Sequence, residues 1–342
     1  DYVLISPLGI EDEKDKVDIL VKVTERKSIT LDVQAGFDSD DLATAQVILT
    51  KRNLFQSAKQ ISLKGIVGFE TNRAEINYFS PHFFANGWNF LAQGFAQSVD
   101  DESLKATSYG GFVGILKNFG SQWAVLFKTG VTDVNLDEAE TSADEENLFD
   151  STFFETSINL TLDTRNNFAD PTRGLYISAT NELDLDLNDP SNNFNISKLN
   201  MATYIGDRNF TFINQLRLGS IYRIQANPRV PAQKLFYLGG STSLRGFEED
   251  AIKEDGGKNL ILYTAEAQFR LFGSFKVAGF FDTGSLEDTI QNVSADSFRE
   301  SAGIGLRYIT PIGPIKLDYA FVLDPQDGEE KSRLHFSFGT FF

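Results

Sequence analysis

Along most of this chain, apolar and polar residues alternate with a period of two. In IKLDYAF, Ile315, Leu317, Tyr319 and Phe321 share one face, and Lys316, Asp318 and Ala320 share the other. LDLDL sets Leu183, Leu185 and Leu187 against Asp184 and Asp186. The terminal RLHFSFGTFF sets Leu334, Phe336, Phe338, Thr340 and Phe342 against His335, Ser337, Gly339 and Phe341. Strict alternation is the mark of a strand with one apolar and one polar face. The pattern predicts strands at 30–39, 42–52, 59–70, 73–82, 87–98, 105–117, 121–134, 150–163, 174–187, 194–206, 209–223, 259–271, 274–285, 298–310, 314–323 and 332–342. No helical face of useful length interrupts them.

Connections come in two sizes. Some are tight, such as Ala85-Asn86, and others are long and acidic, such as 135–149. The longest irregular stretch is 224–258. Short turns on one side and long loops on the other are the habit of barrels that cross an outer membrane. Aromatics gather near strand ends, at Tyr78, Phe79, Phe83, Phe84, Trp88, Phe341 and Phe342, where interfacial girdles belong. A soluble sandwich is the rival architecture, but so many long strands exceed one ordinary sandwich. A closed barrel pairs every edge, as the hydrocarbon region requires. The fold class expected is therefore all-β: a transmembrane antiparallel barrel of about 16 strands, each long enough for the ~9–11 residues of a tilted crossing.

Composition sharpens this picture. The 342 residues include 31 Phe but only 2 Trp and 1 Met, and the mean hydropathy is −0.21. So much Phe in a chain this polar must be interleaved with polar residues. No run approaches the ~18 apolar residues of a spanning helix. The net charge of −17 argues against nucleic acid as a partner. With no Cys, and only His82 and His335 as histidines, no Cys-ligated metal, His-rich metal site or Cys–His catalytic pair can be built. Each histidine reads as a rim or lumen residue. No G-x-S-x-G element occurs, and the chain reads as non-enzymatic, without metal or cofactor. The opening DYVLISPLGI has no basic start or apolar run, so an exported protein would be represented here by a mature or truncated chain. Within residues 1–27, VDILVKVTERK reads as the final strand of a small α/β domain, and 28–342 as the barrel.

In this order, several stretches resemble the BamA/TamA superfamily of outer-membrane protein insertases. They are VKVTERKSITLDVQAGFDSDD at 21–41, KRNLF at 51–55, LDTRNNFADPTRGLYIS at 162–178, LGGSTSLRGF at 238–247, GFFDTGS at 279–285 and the aromatic last strand. Each motif is weak alone; the set covers essentially the whole chain. The resemblance implies that 1–27 is the end of a periplasmic POTRA domain. It also implies that the loop 224–258 folds into the barrel as a lid. Arg245, followed by Gly246 and Phe247, should then pair with Asp282 and with Glu266. The acids Glu248, Glu249 and Asp250, and those of 137–146, read as solvated loop edges.

The resemblance further implies a lateral seam between the first and last strands, at Gly36, Phe37, Gly339 and Phe342. There the protein would insert unfolded outer-membrane clients into the bilayer. Its partners would include periplasmic chaperones and accessory lipoproteins, and its location would be the bacterial outer membrane. A cross-link near Gln34 and Ser337 is the natural test of such a seam. TamA-like assembly of autotransporters, and a two-partner secretion pore exporting an unfolded polypeptide, remain alternatives at this level.

Overall fold

The computed structural model describes all residues except 1, 9–17, 25–26, 41, 85–86, 101–104, 139–148, 225–228, 311–312 and 340–342. Tyr2–Leu8 (β1) and Asp18–Thr24 (β2) form a separate two-stranded antiparallel sheet. The barrel follows as β3 (Ile29–Asp38), β4 (Leu42–Leu54), β5 (Lys59–Val67), β6 (Thr71–Phe84), β7 (Trp88–Asp100), β8 (Lys105–Phe119), β9 (Trp123–Glu138) and β10 (Ser151–Asp163). It continues as β11 (Gly174–Asp186), β12 (Phe194–Gly206), β13 (Phe210–Arg223), β14 (Asn259–Phe272), β15 (Phe275–Glu287), β16 (Arg299–Thr310), β17 (Gly313–Val322) and β18 (Ser332–Phe338). Each strand pairs antiparallel with its neighbour in sequence, and β18 returns to β3, closing a barrel of 16 strands.

The strand order is the one expected, with ends moved by a few residues. The largest shift is at 135–149, where the acidic composition suggested a loop but β9 runs on to Glu138, with Lys105 opposite it. Alternation is what allows this: Val134 is buried and Asn135 is partly exposed, so the pleat continues through the polar sequence. The acids at 139–146 lie outside the described residues.

The period of two becomes an inside and an outside. Leu317, Tyr319 and Phe321 are exposed on the outer wall, whereas Asp318, Ala320 and Val322 are buried within. Such an apolar outer face suits lipid. At the rim with tight turns, rings meet at short range: Phe210 with Phe269 (4.7 Å), Phe272 with Phe275 (5.1 Å) and Phe275 with Tyr308 (4.4 Å). His82 stands exposed near this rim, at φ 51°, where the β6–β7 register shifts.

Inside, the described part of the lid loop (229–258) lies in the lumen, packed on the inner wall. One apolar cluster ties its Val230 and Leu235 to Phe153, Phe194, Ile196 and Ile221. A second gathers its Leu238, Leu244 and Phe247 with Leu262, Leu286 and Val322. Burying each such side chain stabilises by about 1.5–3 kcal/mol. The loop is therefore a packed part of the molecule, although its sequence has no period.

Candidate functional site

Two features stand out: the ionic seat of the lid loop, and the closure between β3 and β18. The seat is built from inward positions on four consecutive strands, Glu266 on β14, Asp282 on β15, Arg307 on β16 and Asp318 on β17. Arg245 enters it from the loop. Its Nε donates to Asp282 Oδ2 at 2.7 Å and its Nη2 to Asp282 Oδ1 at 2.9 Å, a fork-on-carboxylate pair. Its Nη1 reaches Glu266 Oε2 at 3.0 Å and Asp318 Oδ2 at 3.3 Å. Arg307 bonds the same two acids, Asp318 Oδ1 at 2.5 Å and Glu266 Oε2 at 3.0 Å. The Arg245 guanidinium also lies 3.4 Å from the centroid of the Phe280 ring, which favours a cation over its face. Burial opposes the charge on Arg245, but Asp282, Glu266 and Asp318 outweigh it and raise its pKa. Sequence reading did not single out Asp318 or Arg307. Strand parity could have found them, since both fall on the inward face.

The rest of the Leu-Arg-Gly-Phe element is shaped to reach this seat. Gly246 sits at φ 98°, a conformation that side chains other than glycine rarely adopt. A Cβ there would already touch Ala320 and Ser301 of the wall, at 3.4 Å each. On β16, a Cβ at Gly305 would overlap Asp318 Oδ1 and reach Arg307 Nη1 at 2.5 Å. Gly305→Val should therefore break the Arg307–Asp318 bond and loosen the lid, seen as faster protease cleavage within 229–258 in a barrel that still migrates as folded.

The closure is short. β12 and β13 pair without interruption from Phe194↔Arg223 to Gly206↔Thr211. By contrast, among the described residues β18 meets β3 at Ser337↔Asp38 and Phe338↔Phe37, with one further bond from Ser39 N to Phe336 O at 2.8 Å. Among the described residues, no ladder pair joins Ile29–Gly36 to β18. Ser337 faces Asp38 and not Gln34, so a cross-link at Gln34 would be out of register. Next after β18, Gly339 adopts φ 121°. A Cβ there would lie 2.9 Å from Gly36 Cα and 3.1 Å from Ala35 O. Gly36 and Gly339 are thus brought together, Phe37 packs near Phe336 at 5.7 Å between centroids, and Phe342 lies outside the described residues.

The lid also grips both sides of this closure. Ser241 Oγ donates to Asp38 Oδ2 (2.7 Å) on β3, and Ser241 N to Asp40 Oδ2 (2.5 Å) in the β3–β4 turn. On β18, His335 Nε2 accepts the Gly246 N–H at 3.0 Å. Its other ring nitrogen stands 3.7 Å from Asp40 Oδ1. Burial raises the Asp40 pKa, but the nearby His335 ring and the bond from Ser241 prevail and lower it. Glu248, read as a solvated edge, is exposed and bonds Arg333 of β18 at 3.1 Å. The signal for this clasp was absent from the sequence, since Ser241 and Asp40 are 201 residues apart.

A closed antiparallel barrel with an apolar outer wall, a polar lumen and a lid seated inside defines a membrane-spanning β-barrel of the outer-membrane kind. The chain belongs to the Omp85 superfamily, whose domain matches residues 53–342. It is 23% identical over 355 residues to "Outer membrane protein assembly factor BamA" of Nitratidesulfovibrio vulgaris, a match covering 96% of this chain and 44% of the relative. The BamA of Neisseria meningitidis serogroup B is 21% identical over 414 residues, covering all of this chain and 50% of the relative. The chain thus spans about half the length of these curated relatives. The crystal structure of BamA from Haemophilus ducreyi lacking POTRA domains 1–3 has the same fold. Its TM-score is 0.84 at 19% identity, over 99% of this chain and 75% of that one. The protein is a BamA/TamA-like barrel of the bacterial outer membrane, and these relatives are named as assembly factors and not as enzymes.

Proposed function

We propose that this protein assembles β-barrel proteins into the outer membrane, and that the β3–β18 closure is where a client strand docks. The observation that carries the proposal is the β3–β18 closure, which among the described residues holds two ladder pairs, Ser337↔Asp38 and Phe338↔Phe37. A strand entering lipid is costly until its backbone is hydrogen-bonded. An open strand edge lowers that cost by offering N–H and C=O groups in register, as in β-augmentation. Leu31 and Val33 are exposed on the outer face of β3, so a docking strand would sit at the lipid boundary.

In this reading the lid keeps the lumen filled while the seam is used. Its triple grip on β3, β18 and the far wall couples lid position to seam closure. The partners are unfolded outer-membrane proteins, with periplasmic chaperones and accessory lipoproteins upstream. The β1–β2 sheet, at the rim with short turns, is the end of a periplasmic POTRA domain. A secretion pore is the rival reading; it needs the lid to leave the lumen so that a polypeptide can pass along the axis.

The test is reconstitution of the barrel, with its natural N-terminal region, in liposomes given an unfolded outer-membrane protein. Client folding, read by heat-modifiable migration, should run faster than in empty liposomes. It should slow in Gly339→Val, whose added side chain would push β18 away from Gly36. Unchanged client folding combined with passage of a polypeptide into the liposomes would establish the pore instead.

A further inference from the structure

The lid carries a second cation at another part of the wall, on β10 and β11. Lys234 Nζ lies 2.9 Å from Glu155 Oε1, 2.9 Å from Glu182 Oε1 and 3.2 Å from Asp184 Oδ2. These acids project inward from β10 and β11. Their carboxylate oxygens lie within 4.8 Å of one another, a spacing that suits a divalent cation ligated by oxygens at roughly 2.0–2.6 Å. Asp184 is fully buried at 0% exposure, and neither of its oxygens accepts a hydrogen bond. Its ion pair with Lys234 is the contact that compensates it. Three carboxylates thus face one ammonium. Lys128 and Lys198 also act on Glu182 from a distance, but each lies over an aromatic ring, Phe112 at 4.2 Å and Phe236 at 5.7 Å. Burial opposes the charge on Lys234, and the three acids overcome it and raise its pKa.

We propose that the Glu155–Glu182–Asp184 nest is a divalent-cation site held in the closed molecule by the lid's own Lys234, so that ion and lid compete for one seat. The reasons are geometric and electrostatic. Lys234 is a tethered monovalent cation on a loop held beside it by two apolar clusters, Val230 and Leu235 against Phe153, Phe194, Ile196 and Ile221, and the small contact of Ala232 with Ala106 and Leu136. Once it leaves, a buried triple carboxylate cannot stay uncompensated. Oxygen-only ligands select a hard ion such as calcium, magnesium or manganese. The proposal does not depend on whether the barrel inserts clients.

The test uses the full chain in detergent micelles and Mn²⁺ as the probe, with free ion counted by electron paramagnetic resonance. Lys234→Met should bind one more ion per barrel than the wild type. Lys234→Met/Asp184→Asn should lose that extra ion, which separates it from ions held by the acidic surface. In the wild type, saturating Mn²⁺ should speed tryptic cleavage after Lys234. Should Lys234→Met fold poorly, Mn²⁺ should restore its heat-modifiable migration. Equal ion counts in wild type and Lys234→Met, an extra ion that survives Asp184→Asn, or a poorly folded Lys234→Met that Mn²⁺ does not rescue would each overturn the proposal.

Discussion

Arg245→Ala should free the lid and sharply reduce client folding, while the barrel itself still closes. The wall strands pair through their backbones, so the barrel does not depend on this side chain. The lid does, because Asp282 is wholly buried and takes both arms of the Arg245 fork. Removing one partner of a buried ion pair costs about 3–5 kcal/mol, since the other charge is left behind. At a factor of ten per ~1.4 kcal/mol, the docked lid should be disfavoured by roughly 10²- to 4 × 10³-fold. Arg307 does not rescue the site; its bonds go to Glu266 and Asp318. Arg245→Lys should fall between, keeping a charge but losing the fork and the planar contact with Phe280. The measurements are protease cleavage of the lid, heat-modifiable migration of the barrel and the rate of client folding in liposomes. A lid that stays protected in Arg245→Ala, with client folding unchanged, would remove this seat from the mechanism.

Phe37→Cys/Phe338→Cys should form a disulfide under oxidation, and that bond should abolish client folding reversibly. The two residues are partners in the β3–β18 ladder. Directly opposed antiparallel residues stand about 4.5–5.5 Å apart between Cα atoms, inside the range a disulfide accepts. The chain has no other cysteine to compete. Reduction should restore client folding, which separates locking from damage. A disulfide between Thr203→Cys and Asn214→Cys, opposed in the uninterrupted β12–β13 ladder, should have no effect. Full activity in a barrel shown to be cross-linked at Phe37 and Phe338 would refute docking at this seam.

Much of the molecule was legible from local chemistry. The period of two fixes strand positions to within a few residues, because a one-residue slip would turn each apolar set into the lumen. The same parity marks Asp184, Glu266, Asp282 and Asp318 as inward acids and predicts a polar lumen. What it cannot tell is which of these acids lie together. They are spread over strands far apart in the chain, and only closure of the barrel sets Glu266, Asp282 and Asp318 around one point.

The lid shows the limit most clearly. Its sequence has no period, so nothing local says whether it lies in water or in the lumen. The Arg245 seat entered the sequence reading through a resemblance and not through physics. Lys234 carried no signal at all, because one lysine in a loop is ordinarily a solvated charge. Its meaning comes from Glu155 and Glu182, 79 and 52 residues away in sequence. Likewise, Gly36 and Gly339 entered the sequence reading as seam residues only through the resemblance. Only the tertiary structure shows Gly339 at a positive φ against Gly36, beside the two β3–β18 pairs found among the described residues. The sequence by itself determined the strands, their faces and hence a membrane barrel, since these follow from neighbours one and two residues apart. The tertiary structure decided where charges meet and where the wall is weakest, since both depend on contacts between residues distant along the chain.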